Sequence, residues 1–71
     1  MLSLIVEARG RVVGIEVKLS AEVGSRDVRH LVWLRERLGE AAADMVVLTT
    51  GERPYRRPDG VAVVPLALLG P

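Results

Sequence analysis

Seventy-one residues make one domain, and at a net charge of +1, with 27% charged and 49% hydrophobic residues, composition names neither nucleic acid nor membrane as a partner. The absence of cysteine excludes a disulfide framework and any thiolate metal site, and it leaves a cytoplasmic setting as the expectation. A chain this short buries about 60% of the surface its unfolded form exposes, and one core supplies roughly 3–5 kcal/mol, so a partner chain, a metal or a further segment is expected to contribute.

The opening run Leu2-Ser3-Leu4-Ile5-Val6 is apolar but short, has no basic region before it and ends in Glu7, so it reads as neither a signal peptide nor a membrane span. It reads instead as a strand. Arg9-Gly10 is a turn signal, and residues 11–18 form a second strand rich in Val and Ile, so the start of the chain is a hairpin. With Arg9-Gly10 as a two-residue loop, Val6 faces Val13, Leu4 faces Ile15 and Ser3 faces Glu16. That register collects Leu2, Leu4, Val6, Val13, Ile15 and Val17 on one apolar face, whereas a slip of one residue mixes the faces. A three-residue loop with a bulge at Gly10 is the alternative.

Gly24-Ser25-Arg26-Asp27 predicts a helix start, with Ser25 as N-cap and Asp27 in the first turn, where a negative charge suits the macrodipole. Val28, Leu31, Val32, Leu34 and Leu38 share one side of a 3.6-residue wheel, and Gly39 ends the pattern. Residues 45–49 are expected to form a buried strand, 51–60 a loop with Pro54, Pro58 and Asp59-Gly60, and 61–64 a last strand, followed by a closing turn over 65–69. Strand, helix and strand in this order predict a right-handed crossover, with the third strand parallel to the second and beside it. The expected fold is α/β, a mixed four-strand sheet with one main helix over a single domain of residues 1–71.

Three groups of residues carry chemistry. Strand alternation puts Glu16 and Lys18 on one face, an E-x-K pair of the kind a metal-dependent nuclease uses: the carboxylate holds a divalent cation and the lysine positions water or neutralises charge on the phosphate. Lys18 is the only lysine in a chain whose other cations are all arginine. The bland alternative is an ion pair between the two neighbours. The second group, Arg26, Arg29, His30, Trp33 and Arg37, forms one helical stripe opposite the core face, and it suits a protein interface, a nucleic-acid surface or Trp33 lying on arginine stems. His30 has no partner spaced for metal ligation and reads as a solvated residue. The third group, Arg53, Tyr55, Arg56 and Arg57, reads as a solvated, proline-stiffened loop with nothing to fix it, phosphate contact being the alternative. No glycine-rich nucleotide-binding pattern is present.

Taken together, Val12-Val13-Gly14-Ile15-Glu16-Val17-Lys18, Ser20, Asp27 with Leu31 and Leu34, Gly39, Val46-Val47-Leu48-x-Thr50-Gly51-Glu52 and Val64-Pro65-Leu66 resemble the nuclease-like C-terminal domain of bacterial AAA-type ATP-binding proteins, within the PD-(D/E)XK nuclease superfamily. The resemblance runs from about Leu4 to Leu69. It implies a core of helix, three-strand meander, helix and strand, in which an acidic residue faces the E-x-K across the hairpin. The chain departs from that pattern by lacking the first helix and strand, and by carrying Met1-Leu2-Ser3 where the family strand reads Glu-Val-Asp. Ser3, which the register already sets opposite Glu16, thus stands where the resemblance implies a metal-binding aspartate. Glu7 shares its strand face but lies about 13 Å along, too far to substitute.

The expectation is therefore a partial nuclease-like domain acting as a structural or interaction module without a complete catalytic metal site, with no resident cofactor, and with a protein partner or a second copy bound. The enzyme alternative is phosphodiester hydrolysis with Mg²⁺ or Mn²⁺, Glu16 and the Val17 carbonyl as ligands and Lys18 as the catalytic cation. The third alternative is a non-catalytic nucleic-acid binder built on the Trp33 stripe. With the helix on one face of the sheet, the other face is expected to stay partly open, and the chain to self-associate.

Overall fold

The computed structural model describes residues 2–70, with only the backbone of Leu2; Met1, part of the expected Met1-Leu2-Ser3 correspondence, lies outside them, as does Pro71. Two long strands open the fold, β1 (Leu2–Ala8) and β2 (Arg11–Lys18). Arg9 and Gly10 have φ of 54° and 77°, the left-handed pair that a tight two-residue hairpin turn requires, so no bulge is needed. The register follows: Val6 pairs with Val13, Leu4 with Ile15 and Ser3 with Glu16.

Helix α1 (Arg29–Leu38) starts three residues later than the Ser25 cap predicts. Residues 25–28 form turns, and the helix opens at Val28 with no side-chain cap. Ser25 and Asp27 are engaged elsewhere, which is the physical reason: Asp27 accepts from Gly24 N–H and from Lys18, and Ser25 Oγ accepts from Arg57. Gly39, at φ 56°, does end the helix, and its N–H returns to the Arg35 carbonyl.

A single 3₁₀ turn (Gly39–Ala41) leads into β3 (Ala42–Thr49), longer by three residues at its start than expected. β5 (Ala62–Pro65) follows, with a 3₁₀ turn over Leu66–Leu69. Between them Tyr55 and Arg56 form a two-residue strand, β4, where a loop is expected, because Tyr55 and Arg56 pair antiparallel with Val63 and Ala62. The sheet therefore has five strands, in the order β1-β2-β3-β5-β4, with β2/β3 and β3/β5 parallel. This is the mixed α/β sheet of the expected crossover with one strand added.

The helix chooses the face that carries Glu16. Val12, Gly14 and Glu16 of β2 are buried, along with Met45, Val47 and Thr49 of β3 and Val61 and Val63 at β5, and Val28 and Leu31 close over them. Gly14 permits this: a Cβ there would lie 2.7 Å from Met45 Sδ and 3.1 Å from a methyl of both Leu31 and Leu34. The opposite face, with Leu4, Val6, Val13, Ile15, Val17, Val46, Leu48 and Val64, carries no covering element among the described residues, and Leu4 and Val6 are exposed.

Candidate functional site

Glu16 sits on the helix side of β2 at 6% exposure, and its Oε1 accepts a hydrogen bond from Ser3 Oγ at 2.9 Å. Cross-strand pairing delivers that hydroxyl, because Ser3 and Glu16 are directly opposite. Lys18, two residues along the same face, turns to Asp27 at 2.5 Å, both side chains being partly buried. The expected Glu16–Lys18 ion pair does not form. Each charge has its own partner, and the reason is the turn at residues 24–28, which brings Asp27 over the end of β2. The Lys18 ammonium first, and the Gly24 N–H second, hold the Asp27 carboxyl below the usual aspartate range against the opposing effect of burial.

A divalent cation needs several hard oxygen ligands, and this strand offers few. Among the described residues no three His, Cys, Asp or Glu side chains converge on a common point. Ser3 supplies a neutral hydroxyl, and Val17 is paired with Leu2 in the hairpin ladder, so its carbonyl is a strand acceptor. The donor set does not fit the Mg²⁺ or Mn²⁺ that the enzyme alternative requires.

Beside this pair lies a groove of about 240 Å³ between β1 and α1. Ser3, Ile5, Gly14 and Glu16 line its sheet side, and His30, Trp33 and Leu34 its helix side. It exists because α1 covers β2 and β3 and stops short of β1. Trp33 is 54% exposed, with the Arg37 guanidinium carbon 5.4 Å from its ring centroid, a cation–π arrangement. Arg29, His30, Trp33 and Arg37 are thus one exposed helical stripe. Arg26 is exposed too, but it precedes the helix and lies off the stripe, because α1 begins at Arg29.

The third basic group is not a free loop. Arg57 donates to the Val23 carbonyl at 2.7 Å, to Ser25 Oγ at 3.3 Å and to Asp59 at 3.1 Å, and Arg56 bridges Asp44 and the Gly60 carbonyl. Both guanidinium groups tie the 53–60 segment to the rest of the fold, Arg57 largely covered and Arg56 at the surface, where Arg53 and Tyr55 are exposed as well. Asp44 is the polar residue that residue-type reasoning missed, and for Asp27 and Arg57, which it named, it missed the partners. Their partners lie 9 to 34 positions away, so no local spacing marks them.

No described helix is long and apolar enough to cross a membrane. No curated protein and no solved structure matches the chain. Residues 4–69 match the family model described as a domain of unknown function, DUF4143, a family associated with AAA-ATPase-containing proteins. Since that match spans nearly the whole chain, the protein belongs to the DUF4143 family.

Proposed function

We propose that this DUF4143 domain is a nuclease-like interaction module of PD-(D/E)XK descent whose metal site has been replaced by a hydrogen bond. The observation that carries this reading is the 2.9 Å bond from Ser3 Oγ to the buried carboxylate of Glu16, at the position where a nuclease of this kind needs a second carboxylate. The commitment of Lys18 to Asp27 supports it from the other side, since that ammonium is no longer aimed at Glu16. What the domain keeps is a binding surface: the groove between β1 and α1, the exposed Trp33 and the open apolar face of the sheet. Its partners are protein, a second copy of the chain included, rather than nucleic acid. A net charge of +1 gives little of the phosphate attraction that nucleic-acid binding rests on, and a half-exposed Trp33 steadied by Arg37 suits a protein-interface anchor.

Thermal unfolding with and without Mg²⁺ or Mn²⁺ tests the reading. The native chain is expected to melt at one temperature in both conditions and to leave DNA uncut. Ser3→Asp sets two carboxylates opposite each other, which costs about 0.2–1 kcal/mol in the absence of metal. The variant is expected to regain that stability when metal is added. Metal-dependent cleavage of DNA by the native chain, abolished by Lys18→Ala, overturns the proposal in favour of the nuclease. Binding to DNA that weakens steeply with salt overturns it in favour of a nucleic-acid module.

A further inference from the structure

We propose that the groove between β1 and α1 is a socket for one basic side chain of a partner protein, an arginine or lysine whose apolar stem lies along the groove and whose charge meets Glu16 at its floor. The socket rests on reading the domain as an interaction module, and the two are tested apart. Among the described residues Glu16 is the only acid that lines the groove. Ser3 Oγ bonds its Oε1, and no described residue bonds its Oε2. Yet no side-chain oxygen among the described residues is both sealed from solvent and unpaired, so Oε2 opens on the groove.

A carboxylate that is 6% exposed, held by one neutral donor and walled by apolar side chains, is poorly compensated, and a cation is the ligand that corrects this. The chain's own cations do not serve. Among the described residues no lysine, arginine or histidine forms an ion pair with Glu16: Lys18 is held by Asp27, and Arg37 lies over the Trp33 ring. A metal ion is a poor match, because no three carboxylate or imidazole groups converge among the described residues. An organic cation brings its own donors and needs only one carboxylate. Its stem suits the walls, with Ile5 and Gly14 below and Leu31, Trp33 and Leu34 beside.

Size and rim narrow the occupant further. About 240 Å³ lies below the range of roughly 300–1,000 Å³ usual for small-molecule sites, so the groove suits a single side chain. Trp33, half exposed, offers π surface to an entering guanidinium, as it already does to Arg37. Arg29 and His30 lie beside Trp33 on the same stretch of surface, and their charge disfavours a polybasic segment. The partner therefore presents one basic residue among neutral or acidic neighbours. The family resemblance sets a further strand outside β1. Such a strand lies in the plane of the sheet and extends the floor outward, leaving Glu16 and the helix wall as they are.

The test is titration of the whole chain with end-capped alanine peptides that carry one central arginine, citrulline or glutamate, read by the fluorescence of Trp33, the only tryptophan. The arginine peptide is expected to bind on the order of tenfold more tightly than the citrulline one, which keeps the shape and loses the charge. Glu16→Gln keeps an acceptor for Ser3 and is expected to erase that difference. Ile5→Lys, at a 64% exposed position on the groove floor, sets an ammonium near Glu16 and is expected to weaken the arginine peptide with circular dichroism unchanged. Leu68→Lys, exposed in the last turn, is expected to leave binding as it is. Equal binding of arginine and citrulline, preference for glutamate, or no response to any peptide at millimolar concentration overturns the socket and leaves the module reading standing. An arginine preference that survives both Glu16→Gln and Ile5→Lys also overturns it, since the cation then binds elsewhere. Metal-dependent DNA cleavage by a chain that keeps its Glu16-dependent arginine preference overturns the module reading alone.

Discussion

A carboxylate buried in a sheet needs a donor, and at Glu16 that donor is a serine hydroxyl rather than a metal ion or a lysine. Asp27 works in the opposite sense, as the acceptor that gathers Lys18 and the Gly24 N–H at the end of β2. Asp44 is held low chiefly by its hydrogen bonds from Arg56. At Asp59 burial pushes upward, but the Val61 N–H and Arg57 outweigh it. For all three the folded pKa lies below the unfolded one. Their stabilising contribution is therefore complete above the ordinary aspartate pKa and is lost as pH falls from there through the folded value. Urea midpoints measured from neutral pH downward should stay level and then drop within that acid window. Asp27→Asn should be less stable than the native chain at neutral pH and should show a shallower acid slope; an unchanged slope would mean that the Lys18–Asp27 contact contributes nothing to folding.

Among the elements, the contact of α1 with β2 depends on one missing side chain. Gly14 lies within a strand, where glycine is ordinarily unfavourable, and the nearby Met45 thioether and Leu31 and Leu34 methyls explain its presence. Gly14→Ala should overfill this contact and cost about 1–3 kcal/mol in denaturant unfolding, less any relief from the flexibility of Met45. A neutral or stabilising result would show that the helix is loosely seated. The same closeness explains why α1 lies over β2 and β3, leaving the groove over β1 for Trp33 and Ile5.

At the scale of the whole molecule, Arg57 is a long-range tie. It connects the β4–β5 segment to the turn before α1 across 34 positions of sequence, with only 13% of its side chain exposed. Lysine keeps the charge but not the three-way fork, so Arg57→Lys should lower stability by roughly 1–2 kcal/mol, measured as a shift in urea midpoint at constant slope. A shift within error would mean that the Arg57 fork contributes nothing to holding the segment beyond what Arg56 and the β4–β5 pairing supply. Among the described residues, one layer of helix over one five-stranded sheet leaves the other, apolar face of that sheet without a covering element, the condition under which a small domain gains most from a partner.

Periodicity and turn chemistry were enough to read the hairpin from sequence. Arg9-Gly10 signals a turn and a slip of one residue mixes polar with apolar faces, so the Ser3–Glu16 pairing was the register the pattern favoured, and the left-handed φ of Arg9 and Gly10 decided it against a bulge. The parallel placement of β3 was legible too, because a helix between strands forces a crossover of one hand. The choice of sheet face for α1 was not. The face with Leu4, Ile15 and Val17 looks like the better core, yet the helix goes to the one with Gly14 and Glu16, since close approach depends on space above a glycine rather than on summed hydrophobicity. Nor could local spacing reveal that Lys18 belongs to Asp27, or that Arg57 belongs to Val23 and Ser25. Those partners meet only when the crossover folds the turn at 24–28 back over the ends of the strands, and a charge pairs with whatever acceptor the fold brings within reach.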